Sequence, residues 1–197
     1  MKENSKMKEI FIPALSLFLI CLVVTAILAG TNMLTAPKIA ALAVQRQEEA
    51  KSAVLPEAKS FSDEQAAPAG VDAPEGTVYY AGKAEDGSFA GYVVMTTTKS
   101  YGGDAQLMIG LTADGAVSGV NILSIDDTPG LGMNAKSDPT FLEQFKGKTS
   151  TIGVAKNNPA ADEIQALTGA TITSKAMTKA VNTALSMYAE LGGAQNG

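Results

Sequence analysis

The chain of 197 residues carries 15 basic and 20 acidic side chains, a net charge of −5, no histidine and a single cysteine, Cys21. The lack of histidine removes Ser-His and Cys-His catalytic pairs, histidine metal sites and the usual haem ligand, and one cysteine cannot form an internal disulfide or an iron–sulfur ligand set. Redox chemistry, if any, must sit on an organic cofactor, and the acidic balance argues against a nucleic-acid partner. The length suits one globular domain with an appendage.

From Ile10 through Pro37 there is no Lys, Arg, Asp or Glu, and the stretch from Ile10 to Gly30 is almost wholly apolar. At roughly 1.5 Å per residue such a helix reaches the ~30 Å of bilayer hydrocarbon, so residues 10–30 read as a transmembrane helix in contact with lipid. The alternatives are a cleaved signal peptide and a buried core helix, the first disfavoured by length and the second by apolarity on all sides. Cys21 follows the bulky pair Leu19 and Ile20 and reads as a lipid-facing thiol. Lys2, Lys6 and Lys8 precede the span and only Lys38 and Arg46 closely follow it. The positive-inside bias then predicts a cytoplasmic tail of residues 1–9 and an extracytoplasmic remainder.

Thr35-Ala36-Pro37 is a helix-start signal, and Ile39 to Leu55 is rich in helix formers up to Pro56, which predicts a separate helical stalk. Residues 60–76, with their Pro, Gly and acidic side chains, read as loop, so that 31–76 form stalk and linker. The runs Thr77 to Lys83, Ser88 to Thr98, Ala105 to Ala113 and Ala116 to Ser124 are β-branched and aromatic, and Asp86-Gly87 and Asp114-Gly115 are hairpin signals. A four-stranded antiparallel meander is expected. Asp138-Pro139 predicts a short helix to Phe145, and Asn158-Pro159 a second helix start. From Ser174 to Leu191 an apolar stripe of helical period, including Met177 and Tyr188 as core residues, faces away from Lys175, Lys179, Asn182 and Glu190, and Gly192-Gly193 ends the helix. The fold class is therefore α+β: a membrane helix, a stalk, and a domain of residues 77–197 in which an antiparallel sheet is closed by a C-terminal helix.

Immediately before that helix lies Thr168-Gly169-Ala170-Thr171-Ile172-Thr173-Ser174. Residue by residue, Thr173 or Ser174 is a helix cap and Gly169 permits a turn. At the end of the fourth strand stands Asp126-Asp127-Thr128-Pro129-Gly130-Leu131-Gly132, which by itself is a tight turn.

Taken together, the first stretch resembles the flavinylation motif of the FMN-binding domain family, in which FMN is joined through its phosphate to the final threonine hydroxyl. The second resembles the ETPGLG stretch that borders the flavin in the G subunits of Rnf complexes and in the related C subunits of sodium-pumping quinone reductases, with Asp127 in place of the Glu and Ile125 where many relatives carry His. Tyr101-Gly102-Gly103 is similar to the family's YGG turn. The resemblance implies covalent FMN on Thr173, recognition positions at Thr168, Gly169, Ala170 and Thr171, and contact of Thr128, Gly130 and Leu131 with the flavin. A helix N-terminus suits the phosphodiester, and Lys175 adds charge nearby.

The implied function is that of an electron-transfer flavoprotein in a membrane-bound, ion-translocating ferredoxin:NAD+ oxidoreductase: a redox subunit rather than an independent catalyst. Its partners would be the other membrane subunits, membrane lipid, and a flavin transferase for maturation. The C subunit of a sodium-translocating quinone reductase, a free-standing anchored flavoprotein, and an assembly protein without flavin are the competing readings.

Overall fold

The computed structural model describes residues 3–192, with side chains from residue 10 onward. Lys2 and Gly193 lie outside the described residues. The chain divides into two compact units, residues 1–45 and 46–197.

The first unit is helical throughout its described residues, as part of α1 (Glu3–Val54). Its large apolar side chains from Ile10 to Val44 are exposed. The helix has a window of mean hydropathy 2.8 with no residue buried, and among the described residues it alone is long and apolar enough to cross a membrane. The predicted restart at Thr35 does not occur, since α1 runs through Pro37 without a break. A start signal acts only where the chain arrives from outside a helix. Here Thr35 Oγ1 donates back to the carbonyl of Thr31 (3.0 Å), as Thr31 Oγ1 does to that of Ile27 (2.8 Å). These are habits of helix interiors, not of caps.

In the second unit the end of α1 is followed by β1 (Ser60–Phe61) and β2 (Gln65–Ala66), then β3 (Val78–Lys83), β4 (Phe89–Lys99), β5 (Asp104–Thr112) and β6 (Val117–Ile125). The last four form the expected antiparallel meander, in spatial order β3-β4-β5-β6. The two-residue strands lie in the segment read as loop, and both pair with β3, Phe61 opposite Gly82 and Gln65 opposite Tyr79. They are too short to show alternation, which is why composition marks them as loop.

The helices α2 (Asn134–Ser137) and α3 (Pro139–Glu143) follow. The Asp138 side chain accepts from the Thr140 N–H, and Pro139 opens α3, as its sequence signal requires. No helix starts at Asn158-Pro159. Residues 156–162 instead carry the chain back so that β8 (Glu163–Gln165) runs parallel to β7 (Gly153–Ala155). Asn158 adopts a φ of 50°, which Asn tolerates better than most side chains.

The last helix, α4 (Thr171–Leu191), begins one turn earlier than expected and ends on Gly192 in the left-handed region. Ala170, not Thr173 or Ser174, holds the N-cap position. Ser174 Oγ donates to the Ala170 carbonyl and accepts from the Leu167 N–H (2.9 Å), so it ties the preceding loop to the helix.

Two cores sandwich the sheet. On one face Val94, Leu107, Ile109 and Leu111 pack against Met177, Val181, Ala184 and Met187 of α4, with Phe141 and Phe145. On the other, Val93, Met95 and Met108 pack against Ala50, Val54 and Leu55 at the end of α1. Covering both faces explains why β4 is buried from Ala90 to Thr96, with no polar face.

The α1 end sits on a glycine pair, Gly110 and Gly119, which are register partners on β5 and β6. A Cβ on Gly110 would collide with the Val54 carbonyl, and one on Gly119 would lie 3.2 Å from the Val54 Cα. Ser118 Oγ donates to that same carbonyl, satisfying one of the acceptors a helix leaves free at its C-terminus. Gly110→Ala should therefore lower the thermal midpoint of the detergent-solubilised chain, at a cost of about 1–3 kcal/mol, and by more than Gly119→Ala. Equal midpoints for the two variants in circular dichroism melts would contradict this packing.

Candidate functional site

β6 delivers the chain into the loop of residues 126–133, and the loop's second residue, Asp127, is 4% exposed. The carboxylate accepts three short hydrogen bonds. Ser100 Oγ and Thr173 Oγ1 both donate to Oδ2 at 2.6 Å, and the Gly102 N–H donates to Oδ1 at 2.6 Å. Two glycines make this approach possible: a Cβ on Gly102 would strike the Asp126 carbonyl, and one on Gly132 would strike the Asp127 carboxylate itself. The three donors come from the β4–β5 turn and from the first turn of α4, so Asp127 joins three segments far apart in sequence.

Burial on its own would push the Asp127 carboxyl upward. The hydrogen bonds from Ser100, Thr173, Gly102 and Tyr101 outweigh it and hold the group below the ordinary aspartate value. A carboxyl lowered on folding contributes stability above its unfolded value, and that contribution is lost as pH falls through the folded value. The flavin-free chain should thus lose stability below about pH 4. Asp127→Asn should flatten that slope in denaturant titrations taken between acid and neutral pH. An identical slope in the variant would exclude Asp127 as its source.

Above this cluster opens a cavity of about 560 Å³ lined by Tyr101, Asp127, Thr128, Leu131, Gly132 and residues 169–173. Its size lies within the roughly 300–1,000 Å³ typical of small-molecule sites. The exposed large apolar side chains of this unit, among the described residues, are Tyr101 (70%), Leu131 (45%), Met133 (37%) and Ile172 (57%). Three of them line the cavity and Met133 adjoins Gly132, so unpaired apolar surface is concentrated at its rim. The floor is polar. It holds Thr173 Oγ1 and the start of α4, where Ala170 supplies no side-chain cap. The first-turn N–H groups of a helix are free to meet an anion.

Of the predicted residues, Gly169, Ala170, Thr171, Thr173, Thr128 and Leu131 are brought together on this cavity. Thr168 lines a separate cleft with Asp138, Phe141 and Gln144, and Gly130 stands in the loop at a φ of 77° without lining the cavity. Lys175 faces an adjoining cleft with Lys179, Lys99 and Asp72. Ile172, the variable position of its motif, carries no signal in the sequence, and Asp127 has no role there.

An apolar rim over a polar floor with a helix N-terminus fits a flat heteroaromatic ring carrying a phosphate. The family model of the FMN-binding domain matches residues 100–186, which include Asp127 and Thr173, and that of the RnfG N-terminal region matches residues 1–54. The G subunit of the Na(+)-translocating ferredoxin:NAD(+) oxidoreductase complex of Acetobacterium woodii is 36% identical, over 93% of this chain and 94% of that one. The G subunit of the proton-translocating ferredoxin:NAD(+) oxidoreductase complex of Clostridium ljungdahlii is 34% identical, over 94% and 95%. Among solved structures, the C subunit of the Na(+)-translocating NADH-quinone reductase from Parabacteroides distasonis matches at a TM-score of 0.51 and 27% identity, over 60% of this chain and 65% of that one. With whole-length relatives at this identity and both family regions in their expected order, the chain belongs to the RnfG family, the G subunits of Rnf complexes, and carries its FMN-binding domain.

Proposed function

We propose that this protein is the electron-transfer flavoprotein subunit of a membrane-bound, ion-translocating ferredoxin:NAD+ oxidoreductase complex, with FMN held by a phosphoester on Thr173. The observation that carries the reading is the placement of the Thr173 hydroxyl in an apolar-rimmed cavity at the uncapped start of a long helix. Bound there, the flavin supplies the electron chemistry, and the protein supplies position and electrostatics.

The chain's own residues divide that work. The first-turn N–H groups of α4 and the positive end of its dipole favour the phosphate. Tyr101, Leu131 and Ile172, which line the cavity, would offer apolar contact to the ring system and exclude water from it. Thr171 also lines the cavity and is the rival acceptor, whereas the hydroxyl of Ser174 is fully buried and committed to Ala170 and Leu167. A covalent link keeps the flavin at high effective concentration outside the cytoplasm, where a dissociated one would be diluted away.

Thr173→Ala, produced alongside a flavin transferase, should lose the FMN mass and the flavin fluorescence of the band on a denaturing gel, while Ser174→Ala keeps both. Covalent flavin retained in Thr173→Ala and mapped to Thr171 would move the acceptor by two residues. An unmodified chain without FMN would remove the electron-transfer role.

We further assign residues 1–9 to the cytoplasm, 10–30 to the span, 31–76 to stalk and linker, and 77–197 to the extracytoplasmic FMN domain. The other proteins of the complex and lipid are partners of the membrane segment. The lysines before the span and their scarcity after it support this orientation. In a Cys21→Ser background, an impermeant thiol reagent should label Ser62→Cys in whole cells and spare Ser5→Cys. The reverse pattern would invert the topology.

A further inference from the structure

We propose that Asp127 is the residue of this chain that orients the Thr173 hydroxyl and takes its proton when the phosphoester forms. The inference rests on Thr173 being the acceptor.

A threonine hydroxyl is a weak nucleophile, and Thr173 is only 1% exposed, so its geometry is set by the protein rather than by solvent. Its Oγ1 donates to Asp127 Oδ2, at 2.6 Å. Donation to that oxygen fixes the hydroxyl hydrogen toward the carboxylate and leaves the lone pairs of Oγ1 free for a phosphorus atom. The carboxylate is itself held, by Ser100 on the same oxygen and by the Gly102 N–H on the other. Nucleophile, base and orienting donors thus stand in the order that activated hydroxyls require. The donors are all neutral, so no fixed cation competes with the proton for the carboxylate.

In the step, the bond from Thr173 Oγ1 to the flavin phosphate's phosphorus forms as the pyrophosphate bond of a flavin dinucleotide donor breaks. The bond's electron pair leaves with the nucleoside monophosphate, and the hydroxyl proton passes to Asp127 Oδ2. An aspartate of ordinary or lowered basicity is adequate. Phosphoryl transfer runs through a loose transition state in which the hydroxyl oxygen becomes acidic late, and the aspartate of protein kinases accepts a substrate hydroxyl proton in the same manner.

Asp127→Asn is close to isosteric. Its amide oxygen can still accept from Gly102, but its nitrogen would donate to the two hydroxyls instead of accepting from them. The test follows FMN addition by intact mass over time, with purified flavin transferase and flavin adenine dinucleotide, on full-length chains whose fold is checked by circular dichroism. Relative to the unmodified sequence, Asp127→Asn should slow the maximal rate by about 100-fold or more with little change in the KM for the acceptor chain. Asp127→Glu, which restores a carboxylate, should recover much of that loss. Folded Asp127→Asn modified within about threefold of the normal rate, while Thr173→Ala takes no flavin, would overturn the proposal and leave the acceptor assignment standing. No addition to the unmodified sequence would remove the acceptor assignment and the proposal together. Should Asp127→Asn fail to fold, the smaller Asp127→Ser decides: it removes the carboxylate without touching the acceptor and should slow addition by a similar factor, and a rate within about threefold of normal in that folded variant would overturn the proposal.

Discussion

The site depends on one buried carboxylate finding enough donors. An Asp at 4% exposure is costly to keep ionised unless hydrogen bonds replace its water, and Asp127 obtains them only if the β4–β5 turn, the loop after β6 and the first turn of α4 all arrive at the same point. Each of those elements has other duties. The turn closes a hairpin, the loop leads into α2, and α4 covers a face of the sheet. Satisfying Asp127 therefore sets the relative placement of the three segments that line the cavity, and what looks like a local polar contact is a constraint on the geometry of the whole floor.

The two cores make it possible to meet that constraint. With α4 on one face of the meander and the end of α1 on the other, β4 and β5 are buried on both sides and form a stiff platform. Tyr188 stacks edge-on with Tyr92 and donates to the Ala113 carbonyl, and Asn182 bonds both the N–H and the carbonyl of Ile152 (2.8 and 3.0 Å). These contacts fix the far half of α4. Its N-terminus is then carried to the cavity as the end of a rigid rod, which explains how a first-turn threonine can be aimed without a side-chain cap.

Much of this is legible in the sequence because the signals are periodic or chemically singular. The meander follows from β-branched runs separated by Asp-Gly turns, and α4 from its 3.6-residue stripe. The two motifs do meet, with Thr173 and the TPGLG loop at one cavity. What the sequence hides is set by context. Thr35-Ala36-Pro37 carries the same chemistry as a true helix start, but the helix is already running when the chain reaches it. Residues 60–61 and 65–66 form strands only because β3 offers them an edge to pair with. Thr173 reads as a cap because Thr favours that position, yet the loop closes on Ala170 and leaves Thr173 three residues inside the helix, where its hydroxyl turns to Asp127.

The same shift explains why Asp127 has no role in one dimension. A carboxylate before a Pro-Gly turn has no partner within reach along the chain, since Ser100, Gly102 and Thr173 are 27, 25 and 46 residues away. Sequence motifs record which residues a site keeps; they do not record which hydroxyl a carboxylate holds. The cavity-lining groups of this domain are legible as two separate strings because each string folds locally, whereas the contact between them exists only once the sheet has brought the end of β6 alongside the start of α4. The chemistry of the site accordingly belongs to that junction, and neither motif alone contains it.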